Sequence, residues 1–255
     1  MIVCRDMESL AEEAASRILE IGNRSIEERD IFTFVLAGGS TPRSVYKRLS
    51  KDRRRLDWSK VHIFWGDERC LPPDDPQSNY HMAGETLLER SPIPGGNVHR
   101  IRCELGLDQA AEAYQQQIFG FFNQHPALFW QASAASFIPS FDLILLGMGE
   151  DGHTVSLFPG SSALEETSRW VIGVQHDQPP PPLVDRVTFT LPLINAASHV
   201  IFLVSGESKA QRMAQALRGE TEPSLPAQRV CPASGRLLWL VERSAATGLM
   251  INRPE

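Results

Sequence analysis

The chain has 255 residues, of which 42% are hydrophobic, and a formal net charge of -6 at pH 7. This length and apolar fraction allow a substantial buried core in one large α/β domain or two small ones. The acidic balance, with a pI of about 5.7, argues against a general nucleic-acid-binding surface. An anionic ligand would therefore depend on a local cluster of cations.

The cysteines and the N-terminal segment exclude further classes of protein. The cysteines are far apart in sequence and form no CxxC pair, so we predict free thiols in a reducing cytosol rather than a zinc site or a disulfide scaffold. They are Cys4, Cys70, Cys103 and Cys231. Acidic residues interrupt the apolar ones near the N-terminus, which predicts neither a secretory signal nor a membrane span, and hence a cytoplasmic protein that contacts no membrane.

Apolar periodicity predicts strands and helices in alternation. In the first half of the chain the predicted elements are, in order, a helix at Met7–Ile21, a strand at Ile31–Leu36, a helix that includes Val45 and Leu49, a strand at Val61–Trp65, and helices at Tyr80–Leu88 and Asp108–Phe122. In the second half they are strands at Phe141–Leu146, Trp170–Val174 and Val187–Thr190, a helix at Leu193–Ala197, a strand at Val200–Val204, a helix at Lys209–Leu217 and a strand at Leu237–Val241.

This alternation predicts an α/β fold with a doubly wound, mostly parallel, Rossmann-like sheet flanked by helices. Repeats, heptads and a convincing linker are missing, so we expect a single domain over residues 1–255. Pro126–Ser140 is predicted to be an irregular surface segment. The proline run Gln178–Pro182 cannot join a central strand and is expected to form a loop near the functional site.

The most informative segment is LLGMGEDGHTVSLFPG, from Leu145 to Gly160. A buried strand ends there at a glycine-rich turn that carries Gly149, Asp151 and His153. Ligands of open α/β sheets bind at the carboxyl ends of the strands, and glycines let the backbone approach them closely. The alternative is a tight connection in which His153 is an ordinary loop histidine.

Two upstream loops have the same strand-to-helix position. The first contains Gly38, Gly39, Ser40, Thr41 and Pro42, just before a helix whose first amides favour negative charge, which suits a phosphate monoester. Capping of the helix by Ser40 or Thr41 is the structural alternative, and both can hold at once. The loop lacks the Gly-Lys-Ser/Thr ending of a nucleotide P-loop.

The second loop begins with Asp67-Glu68-Arg69, directly after a strand. Arg69 could clamp a phosphate or carboxylate, and Asp67 or Glu68 could orient a sugar hydroxyl or His153. Farther along, Arg186 opens a strand, and Lys209 follows one and opens a helix. The alternative for each of these residues is an exposed, solvated charge.

With GGSTP, DER, GMGEDGHTVSLFPG, RVTFTLP and SGESK in this order, the chain resembles the 6-phosphogluconolactonase family over nearly its whole length. Val155 departs mildly from the expected pattern, in which alanine is common. The resemblance implies hydrolysis of 6-phospho-D-glucono-1,5-lactone to 6-phosphogluconate in the pentose phosphate pathway. It also implies no metal or cofactor, and functional coupling to glucose-6-phosphate dehydrogenase.

The resemblance also implies roles for individual residues. His153 would take a proton from the attacking water and return it to the ring oxygen, with Asp67 and Asp151 as candidates to orient it or a sugar hydroxyl. Amides of the glycine turn around Gly149, or Arg69, would stabilise the oxyanion. The phosphate would be held by Gly38, Gly39, Ser40, Thr41, Arg43, Arg186 and Lys209.

Two other functions compete with lactone hydrolysis. Glucosamine-6-phosphate deaminases share the fold and a similar histidine turn, but their histidine is followed by an acidic residue that serves ring opening. Here Ser156-Leu157-Phe158-Pro159 occupies that place. A non-catalytic sugar-phosphate sensor would keep the phosphate loop but tolerate loss of His153, because a fold does not determine function.

Overall fold

A parallel sheet of six strands forms the centre of the computed structural model, which describes residues 1–133, 136–177, 181–219 and 222–250. The strands of the protein are β1 (Ile2–Cys4), β2 (Phe32–Leu36), β3 (Val61–Trp65), β4 (Asp67–Arg69), β5 (Phe129–Ser133), β6 (Ser136–Pro139), β7 (Leu143–Leu146), β8 (Val171–Val174), β9 (Arg186–Phe189), β10 (His199–Val204) and β11 (Arg236–Glu242). The α-helices are α1 (Met7–Arg29), α2 (Ser40–Lys51), α3 (Asn79–Thr86), α4 (Leu107–Asn123), α5 (Leu191–Asn195), α6 (Ala210–Arg218) and α7 (Thr247–Met250).

The order across the large sheet is β1-β11-β10-β7-β2-β3, and each neighbouring pair is parallel. Every residue of β2 and β7 is buried, as expected for central strands covered on both faces. The predicted α/β fold with a parallel sheet flanked by helices is confirmed. The short edge strand β1 was not predicted, because three residues carry too little periodicity to identify.

The direction of winding reverses between β2 and β7. From β2 the chain moves outward to β3, whereas from β7 it moves the opposite way, to β10 and β11. The loops that follow β2 and β7 therefore diverge and leave a crevice at the carboxyl ends of these strands. The glycine loop after Leu36 and the histidine turn after Leu146 both lie at this crevice.

The predicted strands near residues 171 and 187 do not enter the parallel sheet. They are β8 and β9 of a separate antiparallel sheet, in the order β4-β9-β8, and the Asp67-Glu68-Arg69 triplet is its edge strand rather than a loop. Gly66 makes the transition: its N–H donates to Leu36 of the large sheet, and its carbonyl accepts from Phe189 of the small one. Period-2 patterning cannot tell which sheet a strand joins.

Two further predictions need correction. Pro126–Ser140 is not irregular, because β5 and β6 form an antiparallel hairpin in which Trp130 lies opposite Ile138. Helix α1 continues well beyond Ile21 to Arg29. The buried face of α1 includes Gly22, which packs so closely on Phe32 that a Cβ at position 22 would clash. Because glycine has no apolar side chain, it interrupts the apolar periodicity that predicts the helix.

Of the predicted Gln178–Pro182 loop, residues 178–180 lie outside the described part of the chain. None of the helices in the described ranges is long and apolar enough to cross a membrane. Within the same ranges, no group of three or more His, Cys, Asp or Glu side chains is arranged to hold a metal ion.

Candidate active site

A cavity of about 160 Å³ lies at the crevice between β2 and β7. Loops that follow β2, β3, β7 and β10 contribute to its wall, as does the start of β9. Its lining residues are Ala37, Gly38, Gly39, Ser40, Thr41, Pro42, Asp67, Arg69, Asn79, Gly147, Met148, Gly149, His153, Val155, Arg186, Leu203 and Lys209. Side chains far apart in sequence meet here because parallel strands end at one edge of the sheet.

His153 is oriented by Asp151. The Nδ1 atom of His153 lies 2.6 Å from Oδ1 of Asp151, and the same carboxylate oxygen accepts the backbone N–H of His153. Burial acts to raise the pKa of Asp151, but its hydrogen bond to His153 and the imidazole charge outweigh this and lower the pKa. The carboxylate therefore fixes the proton on Nδ1 and leaves Nε2 as the basic nitrogen.

The turn that holds this pair requires a glycine at position 149. A Cβ there would overlap the His153 ring and the Asp151 carboxylate. The N–H of Gly149 donates to the carbonyl of His153, and Gly152, with φ of 93°, donates to the carbonyl of Gly149. Gly149 therefore permits the close packing of acid and base, while Gly152 permits the left-handed backbone.

Aromatic rings support the other side of His153. The ring of Phe158 packs against His153 with centroids 4.9 Å apart, and His176 stacks on Phe158 at 4.5 Å. Val155, which lies between His153 and Phe158 in the chain, has φ of 49°, a conformation that β-branched residues rarely adopt. Reciprocal hydrogen bonds between Thr154 and Leu157 hold this backbone.

Arg69 and Arg186 are direct cross-strand neighbours on β4 and β9, and both line the cavity. Arg186 is only 2% exposed and donates to the carbonyls of Pro182 and Val184, while Arg69 donates to the carbonyl of Gln77. The buried Nε of Arg69 has no partner among the described residues. Like charges directly opposite each other are unfavourable, so this pair is suited to an anion.

Burial of Arg186 lowers its pKa, although the nearby Asp67 carboxylate acts in the opposite direction. Burial also lowers the pKa of Lys209, with Glu150 acting against it. Both effects have the same cause, namely that a cation is held away from water. A dianion in the cavity would offset this cost by direct pairing.

The glycine loop presents the N-terminus of α2 to the cavity. The residue that precedes the helix is Gly39, with φ of 106°, and no side chain caps the helix. The structural alternative, capping by Ser40 or Thr41, is therefore absent, and Thr41 Oγ1 instead pairs with Ser205 Oγ at 2.6 Å. The N–H groups of Ser40 and Thr41, at the start of the helix, are suited to bind an anion, whereas the N–H of Arg43 donates to the carbonyl of Gly39.

The two carboxylates of the Asp-Glu-Arg triplet have different surroundings. Asp67 lines the cavity and accepts from Ser156 Oγ at 2.7 Å, and from Asn79 Nδ2 at 3.4 Å. Glu68 faces away and accepts the backbone N–H groups of Asn79 and Tyr80 at the start of α3. Neither carboxylate contacts His153, so the geometry leaves that position to Asp151.

Two buried tyrosines hold the strand ends in place. The hydroxyl of Tyr46 accepts from the N–H of Ala37 and donates to its carbonyl, just after β2. Tyr114 makes the same pair of bonds to Trp65 at the end of β3. Burial raises the pKa of both phenols, so they stay neutral and can donate.

Most of the predicted site residues therefore surround one cavity, but two are placed differently. Asp151 lies behind His153 rather than on the cavity wall. Arg43 is outside the site, since its half-exposed guanidinium pairs with Glu85 on α3. Sequence patterns missed Asn79, which occurs in no motif, and gave no site role to Ser156, although it lies in the Leu145–Gly160 segment. Position 38 requires glycine, because a Cβ there would overlap the side-chain amide of Asn79.

The fold and the cavity define an α/β protein with a histidine–carboxylate pair and a cavity lined by cations at the switch point of its sheet. Comparison with known proteins is consistent with this class. Residues 5–239 match the family described as glucosamine-6-phosphate isomerases/6-phosphogluconolactonase. The chain belongs to this family, and the predicted resemblance is confirmed.

Individual relatives match over nearly the whole chain. A 6-phosphogluconolactonase from Nostoc sp. is 37% identical over 253 residues, which cover 98% of each protein. The crystal structure of 6-phosphogluconolactonase from Thermotoga maritima is 31% identical with a TM-score of 0.79, over 95% of this chain and 98% of that one. A monomeric glucosamine-6-phosphate deaminase reaches a TM-score of 0.78 over 97% of this chain and 98% of its own, but at 20% identity it shows the shared fold alone.

Proposed function

We propose that this protein hydrolyses 6-phospho-D-glucono-1,5-lactone to 6-phosphogluconate. The observation that carries the proposal is one cavity that joins the Asp151-oriented His153 to Arg69, Arg186 and Lys209. His153 and Asp151 can activate water, and the three cations can hold a phosphate. Relatives named 6-phosphogluconolactonase, at 37% identity and with nearly full coverage, support the choice of substrate.

The chemistry begins with neutral His153. Its Nε2 takes a proton from water as the oxygen attacks the C1 carbonyl, and the imidazolium that forms is stabilised by Asp151. The negative charge on the carbonyl oxygen is stabilised by amides of the turn around Gly149, which leaves Arg69 to the phosphate. His153 then returns the proton to the ring oxygen as the bond from C1 to that oxygen breaks, which gives the acid and the free hydroxyl.

The phosphate of the substrate is the natural partner of the cationic wall. A dianion beside Arg69 and Arg186 removes the repulsion between the two guanidiniums, and the first turn of α2 supplies amide donors. Lys209 adds a third cation. Asp67, which Ser156 and Asn79 hold in place, is positioned to accept a sugar hydroxyl rather than to orient His153.

Deamination of glucosamine 6-phosphate is the competing function. It needs an acid for ring opening after the histidine, whereas this chain has Ser156, Leu157 and Phe158 there. The Ser156 hydroxyl is fully buried and donates to Asp67, so it is not available as that acid. We assign the reaction to the cytoplasm and to the pentose phosphate pathway. It would need no metal, and glucose-6-phosphate dehydrogenase would supply the lactone.

The test is proton release from freshly generated 6-phosphogluconolactone, measured against the spontaneous rate with and without EDTA. We expect rapid hydrolysis that EDTA does not inhibit. In His153→Ala, kcat should fall by about 10²–10⁴-fold with a much smaller change in KM, since proton transfer acts in the transition state. Hydrolysis by the wild type at the spontaneous rate would refute the proposal, and deamination would then be assayed with glucosamine 6-phosphate.

A further inference from the structure

Two cysteines that are distant in sequence meet beside the cationic wall. Cys70 Sγ and Cys103 Sγ lie 3.2 Å apart and share a hydrogen bond. Cys103 is 8% exposed and lies in a short turn just before α4, whereas Cys70 is partly exposed. Their separation of 33 positions in the chain gives no sequence signal for the contact.

Cys70 is coupled to the arginine pair through the backbone. It follows Arg69 directly, and its N–H donates to the carbonyl of Asp185 at 2.7 Å, which extends the ladder in which Arg69 faces Arg186. A displacement of Cys70 therefore acts on both strands that carry the guanidiniums. Cys103 lies just before α4, and neither cysteine is part of the cavity lining.

The two thiols differ in acidity. The hydrogen bond with Cys103 lowers the pKa of Cys70, although burial acts against this, and the same bond together with burial raises the pKa of Cys103. Cys70 is therefore the more acidic of the two thiols. A partly exposed thiol of lowered pKa, in contact with a second thiol, is the arrangement of a cysteine that reacts with peroxides.

We propose that Cys70 and Cys103 form a reversible disulfide when the protein meets a peroxide, and that this bond weakens binding of the substrate phosphate. The Cys70 thiolate attacks one oxygen of hydrogen peroxide, and hydroxide leaves to give a sulfenic acid. The Cys103 sulfur then attacks the sulfenic sulfur, and water leaves. In balance, two thiols and one peroxide give one disulfide and two waters.

The consequence for the site follows from geometry. A disulfide brings the sulfurs from 3.2 Å to about 2.0 Å, so the chain after Arg69 is drawn toward the start of α4. This changes the position of Arg69 relative to Arg186. His153 and Asp151 lie on a different loop, so KM should rise several-fold while kcat changes little. This second part depends on the proposed lactonase function, whereas the disulfide itself does not.

The experiment treats the wild type with hydrogen peroxide and maps the products by mass spectrometry after thiol blocking. We expect a loss of two hydrogens, a peptide that links Cys70 to Cys103, and a rise in KM for the lactone that dithiothreitol reverses. In Cys103→Ala, dimedone should label the trapped sulfenic acid at Cys70. Cys231→Ser, which removes the exposed thiol, is the matched control and should still form the crosslink.

The outcomes separate the two parts of the proposal. Oxidation of Cys231 without a crosslink between Cys70 and Cys103, together with an absence of dimedone label in Cys103→Ala, would overturn it. A crosslink with unchanged KM would overturn the link to phosphate binding. The crosslinked peptide is detected without any measurement of activity. Failure of the proposed lactonase function is therefore distinguishable from failure of the disulfide proposal.

Discussion

His153 and Asp151 lie two residues apart in one turn, and their 2.6 Å contact fixes the imidazole before a substrate arrives. The other residues of the site come from separate loops and supply charge rather than proton transfer. This division predicts that single substitutions fall into two kinetic classes. Loss of the orienting carboxylate should affect turnover, and loss of a cation should affect binding.

Asp151→Asn tests the first class. The amide keeps the shape but can present N–H to Nδ1, which favours the wrong tautomer of His153. We expect kcat to fall by about 10²–10⁴-fold with little change in KM, measured by proton release over a range of pH. Asp177→Asn, at an exposed carboxylate nearby, is the control and should keep wild-type kcat. Equal kcat in both variants would exclude the orienting role of Asp151.

Lys209→Ala tests the second class. Lys209 is a cation on the cavity wall, so its removal should raise KM by roughly tenfold or more and lower kcat much less. Arg43→Ala is the matched control, because Arg43 pairs with Glu85 outside the cavity. A rise in KM for Arg43→Ala as large as that for Lys209→Ala would return Arg43 to the phosphate site.

At the scale of elements, the site depends on how the chain leaves each strand. Buried tyrosines fix the backbone at the ends of β2 and β3, and the small antiparallel sheet brings Arg186 to Arg69. After β7 a glycine turn fixes the backbone. It has room for the histidine–carboxylate pair only because position 149 carries no side chain.

Gly149→Ala should therefore displace His153 or Asp151. We expect kcat to fall about as far as in His153→Ala, with a thermal midpoint lowered by several degrees, since overlap of this kind costs about 1–3 kcal/mol. Gly147→Ala is the comparison, because a Cβ at position 147 meets no atom within 4 Å. Its thermal midpoint should stay close to that of the wild type. Thermal unfolding and lactone hydrolysis measure both effects, and wild-type kcat in Gly149→Ala would contradict the packing argument.

At the scale of the whole molecule, a histidine cluster near the edge of the large sheet connects stability to pH. His62 Nδ1 lies 3.1 Å from His99 Nε2, and His99 stacks on Phe64 at 4.3 Å. Burial lowers the pKa of His62 to about 4, with a contribution from His125, and burial with a contribution from His62 lowers that of His99 to about 4. Both side chains are therefore neutral in the folded protein near pH 7.

The sign of the pH effect follows directly. Because the folded pKa values lie below the unfolded value of about 6.5, the unfolded chain takes up more protons as the pH falls. The contribution of the two histidines to the free energy of unfolding should be fully present above about pH 6.5 and decrease from there toward pH 4. Urea unfolding over this range should show the decrease, and His99→Phe should flatten it. His81→Gln, on α3, should keep the wild-type slope, and an unchanged slope in His99→Phe would exclude the cluster as the source.

The sequence by itself determined the parallel α/β sheet, the family and the loops that bear the site, because these depend on patterns between neighbours in the chain. His153 and Gly149 share one turn, and a change from apolar to glycine or charged residues marks the end of each strand that leads into the site. The tertiary structure alone decided which groups meet. It paired His153 with Asp151 rather than Asp67, and placed Arg43 against Glu85.

The same holds for contacts between residues that are distant in the chain. Asn79, the first residue of α3, and Ser156 support Asp67 from 12 and 89 positions away. The second sheet sets Arg69 opposite Arg186, and Cys70 meets Cys103. Contacts of this kind depend on strand order, on the sheet that a strand joins and on side-chain packing. Local periodicity does not encode them, because the same pattern of buried and exposed residues fits several pairings of strands.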